Sequence, residues 1–214
     1  MSQLRQRAPL GLLFFGLLFA APPGAARPEA DGSLVGLPLG LRTRLLDRGW
    51  LILQEVDRQQ AGLSGGYILA YVVFDKPRDE VYALLAQTER QVEFRSELRK
   101  VERIRELPDG VIDEHHIKVM LFKVVYRLRY RLQPDAARIS WELDPSFDND
   151  LERAEGFWEL DALEDGRTLA RFGTAVDVGA ALPNSIQDMV TRRKVPKTIA
   201  ACREWVQSGG SQRP

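Results

Sequence analysis

Apolar and polar residues alternate with a period of two along the middle of the chain. In Lys123–Leu132, Val124, Tyr126, Leu128, Tyr130 and Leu132 share one face, and Lys123, Arg127, Arg129 and Arg131 share the other. That pattern predicts a β-strand buried on one side only. The same reading predicts strands over Arg99–Glu106, Val111–Phe122, Arg138–Leu143, Glu152–Leu163 and Thr168–Val178. Between them lie Pro108-Asp109-Gly110, Pro134-Asp135, Asp144 to Asp150 and Glu164-Asp165-Gly166, all turn chemistry, so the strands form a meander and an antiparallel sheet. Upstream, Trp50–Asp57 and Tyr67–Phe74 are β-rich. Glycines at 62, 65 and 66 between them predict a hairpin, or one strand broken by a long turn.

A period near 3.6 predicts three helical regions. Leu34–Arg48 carries Leu37, Leu41, Leu45 and Leu46 on one stripe and stops at Gly49. Pro77 opens a second helix, with Asp79 and Glu80 in its first turn and Val81, Leu84, Leu85 and Thr88 on its buried side. A shorter helical piece is expected around Val92–Leu98. The last element, Asn184–Val206, repeats Ile186, Met189 and Val190, then Val195, Ile199, Cys202 and Val206, with Pro196 placed to kink or divide it.

Alternation also orients the strands. Ile139, Trp141 and Leu143 point inward, as do Ala154, Trp158 and Leu160, and Ala170, Phe172, Thr174, Val176 and Val178. In Val111–Phe122 the more apolar face is the odd one: Val111, Asp113, His115, Ile117, Val119 and Leu121. It carries Asp113 and His115 toward the interior, where polar groups cost several kcal/mol unless hydrogen-bonded or hydrated. Either the two are structurally paired or the interior there is a wet cavity. Tyr126, Tyr130, Trp141, Trp158 and Phe172 line such a cavity or fill the core.

The order strand, helix, strand meander, long C-terminal helix resembles the START-like helix-grip superfamily, and within it the polyketide cyclase/dehydrase and coenzyme Q-binding branch. The resemblance is carried by Val72–Leu85, Val92-Glu93-Phe94, Ile139–Leu143, Gly156–Leu160 and Arg192–Ile199, and spans roughly Trp50 to Gln207. It implies an α+β helix-grip fold, a curved antiparallel sheet wrapped around a long C-terminal α-helix with a hydrophobic tunnel between. It also implies a lipid, quinone, sterol or polyketide-like ligand. The short signatures fit the fold more specifically than any one activity. No catalytic motif of the family's cyclases is identifiable, so no catalytic residue carries over and no cofactor is implied.

The first residues change the picture. Arg5 and Arg7 precede an apolar run, Leu10–Ala21, closed by Pro22, Pro23 and Gly24, with small residues placed for cleavage after Ala26. This reads as a secretory signal peptide over residues 1–26, too short to span a bilayer. A linker and helix follow over 27–49, then the helix-grip domain over 50–207 and a disordered tail over 208–214. The expected location is the periplasm, which disfavours a cyclase working beside cytoplasmic synthases. Cleavage removes two arginines and no acid, leaving 28 basic against 30 acidic side chains. A chain so balanced is not built for nucleic acid. The single cysteine, Cys202, forms no disulfide within the chain and reads as a buried hydrophobe.

Metal chemistry has little footing. His115 and His116 are the only histidines, and adjacent strand residues face opposite sides. Asp144, Asp148, Asp150 and Glu152 crowd one loop without the EF-hand spacing, so a solvated acidic loop is expected. Arg192, Arg193, Lys194 and Lys197 form a solvated helix face or a contact to anionic headgroups, and Gly179–Pro183 a plain connector, a lid or a membrane-touching loop. The expected function is that of an exported carrier of a hydrophobic small molecule or lipid, with transient membrane contact. The alternatives are an enzyme using a His115–Asp113 acid/base pair and a protein-interaction module.

Overall fold

The computed structural model describes residues 37–53, 67–119, 121–177 and 195–211. In chain order these form α1 (Leu39–Arg48), β1 (Trp50–Leu53), β2 (Tyr67–Phe74), α2 (Arg78–Leu85), a 3₁₀ turn (Thr88–Glu93), β3 (Leu98–Leu107), β4 (Gly110–Val119), β5 (Phe122–Gln133), β6 (Arg138–Leu143), β7 (Arg153–Ala162), β8 (Thr168–Asp177) and α3 (Val195–Gln207). The eight strands make one antiparallel sheet in the order β1-β2-β8-β7-β6-β5-β4-β3. β1 and β2 pair as a hairpin, and β2 returns to pair with β8 while β3 to β8 run as the expected meander. No helix among the described residues is long and apolar enough to cross a membrane. The expected signal peptide, Gly179–Pro183, Arg192–Lys194 and the helix before Val195 lie outside the described residues.

The main core lies on the inner face. Ala70, Val72 and Phe74 of β2, Val124, Tyr126, Leu128 and Tyr130 of β5, Ile139 of β6 and Leu160 of β7 meet α2 through Val81, Leu84 and Leu85. Ile199, Cys202, Trp205 and Val206 of α3 form one stripe at helical spacing and join the same core. A second, smaller core sits behind the sheet, where Leu37 and Leu45 cover Val73 of β2 and Leu169 of β8. β2 therefore buries both faces at this corner. That is why Tyr67–Phe74 is almost continuously apolar instead of alternating.

Polar contacts fix α3 against the start of the domain. Arg203 donates from Nε to the Val73 carbonyl at 2.7 Å and from Nη2 to Asp75 at 2.9 Å. Its guanidinium lies where a side chain at Gly49 would be, 2.4 Å from an ideal Cβ. Gly49 is also left-handed, with φ 80°, and ends α1. Trp205, fully buried, donates its indole N–H to Glu93 at 2.8 Å, and Arg90 stacks over the same ring while pairing with Glu93. The chain does not loosen at Ser208. Gly210 N–H returns to the Trp205 carbonyl at 2.9 Å and the Gly210 carbonyl accepts from Arg90 at 2.6 Å. Both glycines there have positive φ, 70° at Gly209 and 73° at Gly210.

Several expectations shift. The short helical piece at Val92–Leu98 is instead the 3₁₀ turn Thr88–Glu93, and Thr88 is buried there rather than on a continuation of α2. Leu121, assigned inward, is 91% exposed, because β4 ends at Val119 and a turn separates it from Phe122. Val176, also assigned inward, is 48% exposed near the free end of β8. The acidic loop is not simply solvated. Asp144 is buried and accepts from the N–H and Oγ of Ser146, while Asn149 and Asp150 accept backbone N–H groups of Arg127 and Val125.

Candidate ligand site on the inner face

Strand register assembles a band of rings across the concave face. His115 opposes Tyr126 and the two rings stack at 5.2 Å. Tyr130 lies 6.0 Å from His115 and 6.1 Å from Trp141, its register partner on β6. Trp141 continues to Phe172 at 5.9 Å, Phe172 to Trp158 at 4.5 Å, and Trp158 to Phe74 at 6.4 Å. The band thus includes all five predicted aromatics and His115. Its β4–β5 end is sealed, with Tyr126, Tyr130 and His115 buried, whereas Trp141, Trp158 and Phe172 are only half-buried. Gly156 makes the middle possible, since an ideal Cβ there would sit 2.3 Å from Cζ2 of Trp141 and 2.4 Å from the Gly173 carbonyl.

The sealed end holds a directed hydrogen-bond chain. Arg95 donates to Oε1 of Gln91 at 3.0 Å, and Gln91 Nε2 donates to the Tyr130 hydroxyl at 2.9 Å. The Tyr130 proton is then free to face Nε2 of His115, 3.3 Å away. A neutral His115 accepting at Nε2 carries its proton on Nδ1, a buried atom with no hydrogen-bond partner among the described residues. Burial, then the nearby Arg95 charge, then His116, hold the His115 pKa well below the usual imidazole value. Burial raises the Tyr126 and Tyr130 pKa values against the opposing pull of Arg95. Burial works against the Arg95 charge, but Tyr126, Glu97 and Tyr130 outweigh it and raise its pKa. The site is therefore a neutral imidazole and two protonated phenols beside one permanent cation.

Asp113 is inward and fully buried, as alternation requires, but it does not serve His115. Register sets it opposite Arg103 of β3, whose Nε donates to Oδ1 at 2.5 Å, and Thr88 donates to Oδ2. Arg103 also reaches Glu89 at 2.8 Å, so Asp113 fastens the 3₁₀ turn to the sheet edge. The acid/base pair considered from the sequence is thus not assembled. His115 spends its acceptor nitrogen on Tyr130 and has no exposed surface. Gln91, Arg95, Thr88 and Arg103 were not among the sequence candidates for this site. The one available signal was two buried polar residues on β4 that needed partners from elsewhere.

The outer face is chemically different. His116 points there, away from His115, and with Glu102 and Glu114 offers ligand atoms within 4.8 Å of one another. Arg127 already holds Glu114 at 2.9 Å and Lys100 holds Glu102 at 2.7 Å. An open groove of about 440 Å³ on the sheet is lined by Arg129, Arg131, Glu142, Glu155 and Phe157 among others. Alternation puts these five side chains opposite the aromatic band, while Trp141 and Gly156 of the band also line the groove.

A one-sided curved sheet closed by a C-terminal helix over an aromatic inner face defines the START-like helix-grip class. The sequence profile described as polyketide cyclase / dehydrase and lipid transport matches residues 74–203, and the chain belongs to that family. Three solved structures share the fold at low identity. A Thermus thermophilus protein is 16% identical with TM-score 0.58, covering 68% of this chain and 99% of its own. The Zhui aromatase/cyclase of a Streptomyces species is 17% identical with TM-score 0.55, covering 69% and 99%. A STAR-related lipid transfer protein of Xanthomonas axonopodis is 15% identical with TM-score 0.56, covering 74% and 99%. A search of curated proteins gives no match.

Proposed function

We propose that this chain is an exported, non-catalytic carrier that holds a lipid, quinone or polyketide-like molecule between the inner face of the sheet and the C-terminal helix. The observation that carries the reading is the aromatic band, sealed at the His115 end and half-buried at Trp141, Trp158 and Phe172. Apolar walls with a few fixed polar groups suit a ligand held by shape and contact area. The His115–Asp113 pair, the strongest enzymatic candidate in the sequence, is divided between two structural roles. The family description includes lipid transport, and the N-terminal apolar segment supports export to the periplasm.

Protein purified from a membrane-containing host should release a hydrophobic molecule in native mass spectrometry. Uptake of a fluorescent lipid probe should quench tryptophan emission, and Trp141→Ala together with Trp158→Ala should reduce that uptake. Protein that is consistently ligand-free and takes up no probe overturns the carrier reading. Fractionation with N-terminal sequencing tests export, which requires a mature chain in the periplasm beginning near Arg27.

A further inference from the structure

The turn between β4 and β5 presents two large apolar side chains to solvent. Leu121 is 91% and Phe122 39% exposed, and neither belongs to either core. Just behind them Lys118 and Lys123 face each other across the hairpin register, both exposed and without an ion pair among the described residues. Like charges directly opposite one another on a strand pair are unfavourable, and two adjacent large apolar side chains stand in water at the same tip. The tip therefore departs from what stability alone selects, at two adjacent levels.

We infer that this tip is a membrane-docking element for anionic lipid, with Leu121 and Phe122 entering the headgroup–acyl boundary and Lys118 and Lys123 meeting the phosphates. Long cationic side chains flanking an apolar tip are suited to that boundary, since their stems lie along apolar surface while the ammonium stays with the headgroups. A protein partner fits less well, because a stable interface needs roughly 800 Å² per side, far more than two tip residues offer. Glu97, whose carbonyl accepts the Lys118 N–H at 2.9 Å, pairs through its side chain with Arg95, and the other neighbouring acids, Asp148, Asp150 and Glu152, stand on or beside the loop after β6. Their loop is fastened to β5 at Val125 and Arg127, set back from Lys123 by two to four residues. At about 3.3 Å per residue the nearer anchor lies roughly 7 Å behind the lysine, close to a Debye length at physiological salt. The tip shares its end of the sheet with the C-terminus of β8, from which the chain continues toward α3.

This inference extends the carrier reading but rests on different residues. Its test uses the chain from Arg27 onward, which contains every described residue and lacks the apolar leader. Co-sedimentation is measured with phosphatidylcholine vesicles and with vesicles carrying about one third phosphatidylglycerol. The unmodified protein should bind the anionic vesicles, less so as salt is raised. Lys118→Gln with Lys123→Gln should weaken that binding about 10- to 30-fold, from roughly 1 kcal/mol per lysine near an anionic surface. Leu121→Ser with Phe122→Ser should abolish it, and thermal melts should show both variants folded. No binding by the unmodified protein, or equal binding by both variants, overturns the inference. Binding that follows added protein rather than lipid identifies a protein partner and also overturns it. Cargo-free protein that still binds vesicles through the tip counts against the carrier reading alone, and loaded protein that ignores vesicles counts against the tip alone.

Discussion

Acid should destabilise this domain through His115, and His115→Gln should relieve it. An unfolded histidine titrates near pH 6.5. In the folded domain burial first, then Arg95 and His116, hold the His115 pKa well below that. Between the two values the unfolded chain takes up a proton that the folded chain refuses. Stability is therefore full above about pH 6.5 and falls as pH drops, approaching about 1.4 kcal/mol per pH unit from this one group. For a domain of this size that is about 3–5 °C of Tm per pH unit. The glutamine of the variant would keep an acceptor near the Tyr130 hydroxyl without a titrating ring. Every other ionisable group is common to both proteins, so the difference between the two Tm curves isolates His115. Differential scanning fluorimetry from pH 7.5 to 4.5 should show the curves converging or crossing as pH falls. Parallel curves would refute the reasoning, because they would mean that His115 takes up its proton in the folded state as readily as in the unfolded one.

Two further outcomes follow from contacts of the inner face. Asp113→Ala should cost about 2–4 kcal/mol in urea denaturation, since it strips partners from Arg103 and from the buried Thr88 hydroxyl; a loss no greater than in Arg103→Met, with the two additive, would deny the coupling. Gly156→Ala should cost about 1–3 kcal/mol by forcing the Trp141 ring away from a Cβ, with a changed near-ultraviolet circular dichroism signal; an unaltered spectrum and melt would show that the ring has room to spare.

Alternation was a sufficient guide wherever one face of a strand is dry and the other wet. β5 shows this best, with Val124, Tyr126, Leu128 and Tyr130 buried as their spacing requires. It failed at Leu121 because period two was counted through a turn, and one inserted turn changes the parity of every residue after it. It also failed to anticipate Trp205, the largest fully buried side chain, since helical spacing alone was satisfied by Cys202 and Val206. The candidate site was legible in its rings and not in its polar connections. Asp113 and His115 share a face by local geometry, but their partners are chosen by contacts distant in sequence. Arg103 reaches Asp113 through a bulged register, Gln91 comes from a 3₁₀ turn too short to show a period, and Arg95 comes from the backbone just after it. The family resemblance supplied the wrap of the sheet, which hydrophobic spacing alone leaves undetermined.

The clamp made by Arg203 bears on when this protein becomes itself. It joins α3 to Val73 and Asp75, positions 130 and 128 residues earlier in the chain. Synthesis delivers those earlier residues first, so the sheet's concave side has no cover from this helix until the final stretch is made. Contacts of such long sequence separation form slowly, because the entropy of closing the intervening chain must be overcome before they contribute. Completion of the grip is thus a late event in the life of each molecule. Until then the inner-face core lacks the apolar stripe of Ile199, Cys202, Trp205 and Val206 that completes it.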